Sequence, residues 1–324
     1  MARWAGMDRQ EIDTLVIGAG MAGLTCATRI AREGDAVCVI DKGRGPGGRM
    51  AARRTEIAGE TVSFDHGAQY FTARDPRFKA VVEEWEAQGV VARWPAAGED
   101  AWVGTPGMNA PIRAMAQELD VRWNTRAHKI SYTNSRWHVD AGEDRFSAVA
   151  LLIAVPAEQA FDLLDGLAPV WAREVAGATS EPCWAVMAGF AQRLDIEADA
   201  LRDPQAPISW AARNSAKPGR SGGECWVLHA SPQRSREIID LPPDEVGPLL
   251  LDDFFRQTGA APAAPVHLAA HRWLYAMPRA ISGEPARYDI EIAFGLAGDY
   301  LHSPRVEGAW LSGNALADLV LWDV

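Results

Sequence analysis

The chain of 324 residues is short of several things, and each shortage removes a class of function. It has four lysines (Lys42, Lys79, Lys129, Lys217) against 28 arginines, and its formal net charge is −11. So acidic a chain is a poor partner for nucleic acid. The four cysteines (Cys26, Cys38, Cys183, Cys225) have no C-x-x-C or metal-ligand spacing, so neither a zinc site nor a disulfide framework is implied. No apolar run approaches the roughly 20 residues of a membrane span. Residues 1–12 lack the basic-then-apolar order of a signal peptide and read as a short extension ahead of the first strand. The expected location is the cytoplasm. No repeat or low-complexity tract interrupts the chain, and nothing specifies an oligomeric state.

What remains is an ordinary globular composition, 48% hydrophobic and 23% charged. The length suits a cofactor domain plus a substrate domain. Residues 14–17 form a β-branched run, 21–33 read as a helix and 36–40 as a second strand, the opening of a doubly wound α/β fold. Further helices are expected at 75–88, 158–164, 244–258 and 308–321. Strands are expected within 121–141 and at 148–155, 184–190 and 225–230. The Pro-, Gly- and Ser-rich stretch 214–223 reads as an exposed loop.

Between the first strand and helix stands Gly18-Ala-Gly20-Met21-Ala22-Gly23, the G-x-G-x-x-G spacing of a dinucleotide turn. The first glycine makes the turn, the second admits a pyrophosphate, and the third lets helix and strand pack closely. Phosphates then meet the free N–H groups of the helix N-terminus. Asp41, 23 residues after Gly18, ends the second strand where a carboxylate can accept from ribose hydroxyls. This motif does not distinguish FAD from NAD. The next segment does: Arg44-Gly-Pro-Gly47-Gly48-Arg49-Met50 contains R-x-x-G-G-R, similar to the second signature of the amine-oxidase flavoproteins. Its glycines allow close approach, and Arg49 offers a planar cationic fork to the pyrophosphate.

Asp65-His-Gly67-Ala68-Gln69-Tyr70-Phe71-Thr72-Ala73-Arg74 resembles the D-x-G-A-Q-Y-F-T-A-R segment of the bacterial renalases, which lies beside the flavin ring. Gly298-Asp299 and Arg305-Val306-Glu307, before the last helix, match the same family, as do strings around Trp102, Trp184, Trp210, Trp226 and Ala270-His271-Arg-Trp273-Leu-Tyr275. The likeness covers nearly the whole chain. It departs in a few extra residues between Arg54 and Asp65, and at Ala127, where an aliphatic is usual.

The resemblance implies non-covalently bound FAD. Cofactor contacts are expected from the first glycine turn, Asp41, Lys42, Arg44, Gly48, Arg49, Met50, Gly67 to Tyr70, Ala127, Ala154, Gly298, Asp299 and Arg305 to Glu307. Expected substrate contacts are Tyr70, Phe71, Thr72, Ala73, Arg74, Trp102, Asn214 and Trp273, with Arg213 beside Asn214. The implied fold is a Rossmann-like FAD domain built from 13–75, 121–165 and 276–324, interleaved with a smaller mixed α+β substrate domain from 76–120 and 166–275. The implied activity is oxidation of misreduced dihydro-NAD(P) isomers, such as the 2-dihydro form, by hydride transfer to flavin N5. Oxygen accepts the electrons and H2O2 forms. That chemistry needs orientation and not proton abstraction, and no Ser–His–Asp order, metal cluster or lysine near 271–276 argues otherwise. No catalytic side chain is assigned. His229 and His271 read as hydrogen-bonded structural residues. Three alternatives stay open: a flavin amine oxidase or desaturase, a redox-inert FAD scaffold, and an NAD-dependent dehydrogenase using the first motif alone.

Overall fold

The computed structural model describes residues 12–164 and 166–322. The expected N-terminal extension lies outside them except for Ile12, which opens the first strand. That strand, Ile12–Ile17, is buried on both faces apart from Asp13, as the centre of a parallel sheet requires. It pairs in parallel with Val37–Ile40 on one side and Asp144–Ile153 on the other. Asp120–Arg122 and Phe294–Ala297 continue the parallel order outward, and Ala286–Asp289 closes one edge antiparallel. A meander of Lys129–Thr133 and Arg136–Ala141 leads into Asp144–Ile153.

Alternation along the first strand sends Val16 to one face and Leu15 and Ile17 to the other. Helices Met21–Arg32 and Val306–Leu321 cover the Val16 face. Helices Ala157–Leu164 and Pro169–Ala176 cover the opposite one. This is a Rossmann-like dinucleotide-binding domain. Gly18 turns the chain at φ +111°, a conformation that favours glycine. A Cβ on Gly23 would come within 1.9 Å of the Gly18 carbonyl, so the third glycine is there for close packing.

The second domain is α+β, as expected, and its sheet is wholly antiparallel. Its order is Ala200–Arg202, Ile208–Arg213, Glu224–Ala230, Ser180–Phe190, His267–Pro278. An antiparallel sheet can bury one face and leave the other for a ligand. Trp184, Trp226, Leu228 and Ala270 meet Phe254 of helix Pro243–Thr258 on the buried face. Met187, Cys225 and Val227 on the other face are covered by a hairpin of Ala52–Ile57 and Glu60–Asp65. The extra residues between Arg54 and Asp65 include the tip of this hairpin, Ala58-Gly59, both at positive φ. Beyond its cover, Trp210 and His229 of the rung Trp210–His229–Ala185–His271 reach the cavity described below.

Two expectations are revised. Residues 76–120, assigned from the sequence to the substrate domain, pack chiefly on the nucleotide fold. Asp75 caps helix Pro76–Ala87, whose Phe78, Val82 and Trp85 join the core beneath the first and last helices, with Phe78 5.3 Å from Trp310. The stretch 214–223 is pinned and not freely exposed. Asn214 donates to the Ser63 carbonyl (2.7 Å) and accepts from the Asp65 N–H (3.2 Å), and Lys217 is buried. A turn-rich composition marks a loop but is silent on what its side chains bond.

The first and last helices cross so closely that a Cβ on Gly313 would lie 2.1 Å from the Ala22 carbonyl oxygen. Gly313→Ala gains up to about 1 kcal/mol of helix propensity. Overpacking against another helix's backbone costs about 1–3 kcal/mol. The expected result is a net loss of stability, read as a lower midpoint of thermal unfolding by circular dichroism.

Candidate active site

Three chain segments meet around one cavity of about 1140 Å³. That exceeds the roughly 300–1,000 Å³ of an ordinary small-molecule pocket, leaving room for a dinucleotide and a second molecule. One end is formed by Asp41, Lys42, Thr125, Arg126, Ala127 and His128, with Gln159 and Asp162 from helix Ala157–Leu164. Asp41 ties the two glycine turns together, accepting from the Ala19 N–H (2.8 Å) and the Gly43 N–H (2.6 Å). Half-burial, then the neighbouring Arg126, lowers the proton affinity of Lys42. Thr125, Arg126 and His128 carry no sequence signal. They are loop residues brought in when the Thr125 N–H bonds the Asp41 carbonyl (2.8 Å).

Gly18, Gly20, Met21 and Ala22 form the middle with Gly45, Gly48, Arg49 and Met50 opposite. A Cβ on Gly20 would meet no protein atom within 4 Å, and one on Gly48 would come to 4.0 Å from the Gly20 Cα. Two bare backbones thus face a narrow gap. Helix Met21–Arg32 begins there with no side-chain cap and no acid in its first turn, leaving N–H groups for an anion. Arg49, expected to fork a phosphate, makes a two-point pair with Asp299 (2.7 and 2.8 Å). Gly298, Arg305 and Val306 line the wall beyond, where the last helix starts.

At the far end Gly67 to Thr72 and Arg74 face the second sheet, which contributes Arg202, Trp210, His229, Trp273 and Tyr275. The segment is pressed onto the glycine loop: Ala68 N–H donates to the Arg49 carbonyl (2.8 Å), and a Cβ on Gly67 would fall 2.1 Å from that oxygen. Tyr70 and Trp210 pack tilted at 5.2 Å, and the Trp273 indole donates to the His66 carbonyl (2.8 Å). The buried Trp210 N–H has no partner in the protein.

None of these groups is a ready acid or base. Burial pushes His229 down to about 4. Burial, then His271 and Arg53, pushes His66 down to about 3. Both are neutral at physiological pH. Cys183 touches the cavity, but burial raises its thiol to about 12, so it is no nucleophile.

Seven expected site residues do not line the cavity. Gly23 serves packing, and Arg44 is outside the lining. Glu307 turns its carboxylate to the backbone N–H groups of Arg74 and Asp75 (2.5 and 2.7 Å) and braces the wall from behind. Ala73 and Trp102 are buried in the core, Trp102 under Arg93 at 3.9 Å. Asn214 clamps the hairpin, and Arg213 is buried against Glu224 (3.1 Å) and Asp199. Ala73 is taken up by apolar packing, and Trp102, Asn214 and Arg213 each satisfy partners within the protein. The arginines at 202 and 272, and Tyr275, line the cavity without having been singled out; Tyr275 stood in a string already matched to the renalases.

Residues 92–321 match the family model of the flavin containing amine oxidoreductases, and residues 16–85 match the NAD(P)-binding Rossmann-like domain. The chain belongs to the flavin-containing amine oxidoreductases. Its backbone is similar to that of a protein from Exiguobacterium sp. assigned as a protoporphyrinogen oxidase (TM-score 0.75, 14% identity, covering 97% of this chain and 100% of that one). It is also similar to a putrescine oxidase bound to putrescine (TM-score 0.71, 14%, 97% and 100%) and to cyclohexylamine oxidase from Brevibacterium oxydans (TM-score 0.63, 12%, 96% and 99%). At these identities the likeness is one of fold.

Membership in this amine oxidoreductase family implies FAD as cofactor and FAD-dependent oxidoreductase chemistry. The cavity fits that group. The facing glycines accept a pyrophosphate, the uncapped helix supplies N–H donors, and the volume exceeds one small ligand. Asp41, Gly20, Gly48 and Ala68 line the space where such a group would be held. The family's chemistry gives Gly20 a direct test. Gly20→Val fills ligand space and no protein space, so the variant is expected to fold with unchanged circular dichroism and purify colourless. A variant as yellow as the unmutated protein would refute the placement.

Proposed function

We propose that the protein is an FAD-dependent oxidase of the renalase type. In this reading it oxidises misreduced dihydro-NAD(P) isomers, the 2-dihydro form among them, to NAD(P)+, and oxygen accepts the electrons to give H2O2. One observation carries the choice of substrate. The described residues lining the cavity include only three carboxylates, Asp41, Asp162 and Asp299, all on the nucleotide-fold side. The second-sheet side carries Arg202 and no acid, Arg74 and Arg305 line the same cavity, and the Arg272 guanidinium turns away to the Ile239 carbonyl (2.6 Å). Such a wall suits a substrate bearing phosphates and leaves an alkylammonium without a counter-charge.

FAD, when bound, supplies the hydride acceptor and the route to oxygen. The chain's own part is to stack and orient. Tyr70, Trp210 and Trp273 offer aromatic faces. The neutral His229 contributes shape and no charge. A dihydropyridine carbon gives up hydride without prior loss of a proton, so the lack of a base is no obstacle.

A second reading, an amine oxidase or desaturase, is favoured by the comparisons. The family is named for amine oxidation, and two similar folds are oxidases of putrescine and cyclohexylamine. The two readings part on substrate and on pH. Mixed anaerobically with the holoprotein, 2-dihydro-NAD(P) is expected to bleach the flavin rapidly, at a rate nearly flat from roughly pH 6 to 7, above the titration of His229 at about 4 and below that of the buried Lys217 at about 8. An amine must first lose its proton. Its rate would climb about tenfold per pH unit below its own pKa. Bleaching by amines alone, with that slope, would transfer the assignment to the second reading.

A further inference from the structure

Lys217 has no role in the assignment above, yet it is buried one side chain behind the cavity. Its Nζ donates to Asp65 Oδ2 (3.2 Å) and to Gln69 Oε1 (3.0 Å), and lies 5.2 Å from the centre of the Trp94 ring. Arg220 donates to the same Asp65 oxygen and to the carbonyls of Gly104 and Pro218. The other Asp65 oxygen accepts the Met108 N–H (2.9 Å). All three charged side chains are 0% exposed.

One carboxylate therefore stands between two cations. Among the described residues no second acid pairs with either, so the cluster carries a surplus positive charge. Burial, opposed by Asp65 and reinforced by Arg220, brings the Lys217 ammonium down to about 8, which still leaves it protonated at neutral pH. His229, whose ring lies 3.3 Å from the Gln69 amide nitrogen, is neutral there. An unbalanced buried charge is strongly unfavourable unless a partner of opposite sign lies close. Gln69 separates Lys217 from the cavity. Its amide is fixed at both ends, Oε1 by Lys217 and Nε2 by the carbonyls of Asp65 and Gly67 (3.0 Å to Gly67), and it lines the wall beside Ala68.

We propose that Lys217 is a positioning residue for the reacting end of the cofactor. Through Gln69 it sets the wall beside the isoalloxazine, and with Arg220 it holds surplus positive charge there, favouring the negative charge the ring gains on two-electron reduction. The inference rests on the cavity holding FAD and is independent of which substrate is oxidised.

Sulfite tests it without any substrate, because it adds to flavin N5 and leaves negative charge on the ring. The unmutated holoprotein is expected to bind sulfite at least about tenfold more tightly than free FAD in the same buffer. Lys217→Met is expected to weaken that binding about tenfold and to lower the two-electron midpoint potential by about 30 mV, the equivalent of that ratio. Arg220→Gln also removes one cation and should shift both readouts the same way, giving a second measurement should Lys217→Met fail to fold. A purely structural lysine would alter flavin content or melting temperature and leave sulfite affinity and potential alone. Unchanged values in a folded, flavin-loaded variant overturn the proposal, as does an unmutated holoprotein that binds sulfite no better than free FAD. Purified protein without flavin would overturn this inference and the cofactor assignment together. Failure to oxidise dihydronicotinamides would affect the substrate assignment only.

Discussion

The two-point pair between Arg49 and Asp299 joins parts of the chain 250 residues apart, and the cavity depends on it. A planar guanidinium against a carboxylate is the strongest geometry such a pair can take. On the same residue, the Arg49 carbonyl receives Ala68 and leaves no space for a side chain at Gly67. One residue thus fixes the glycine loop, the Asp65–Arg74 segment and the entry to the last helix around a single space. Asp299 occupies two donors of Arg49, so a pyrophosphate in this cavity would meet chiefly backbone N–H groups and an uncapped helix end. Those dipoles work in a protein of net charge −11 without adding a cation.

Behind the substrate wall lies a seam of polar side chains that shapes the site and does not move protons. His66 packs edge-on against His271 at 4.9 Å, and its carbonyl receives the Trp273 indole. Desolvation keeps His66 and His229 uncharged, so the seam presents neutral rings and fixed amides to the ligand. For hydride transfer this arrangement is sufficient, since the protein's contribution is geometry and field.

Much of the cofactor end was legible in the sequence. The turn Gly18 to Gly23, Asp41, Arg49 and Gly67 are constrained by close approach of backbone to backbone or to ligand, and such constraints admit few residue types. The substrate end was legible only in part. Trp102, Asn214 and Arg213 read as candidates from their company in the chain, and all three are committed to internal partners. Glu307, expected to touch the cofactor, lies behind the cavity wall and faces the Arg74 backbone. Residue type says that a side chain can bond, and only its neighbours in space say to what.

Order along the chain determined the Rossmann-like half, because strand, glycine turn, helix and acidic strand end are local features fixed by hydrophobic period and backbone sterics. Tertiary structure decided the rest. It packed the 76–120 segment chiefly on the nucleotide fold, made the second sheet antiparallel, and brought Lys217 and Arg220 onto Asp65 across some 150 residues of sequence. A buried charge cluster of this kind has no period and no motif. It exists only where folding removes water from side chains that are strangers in sequence.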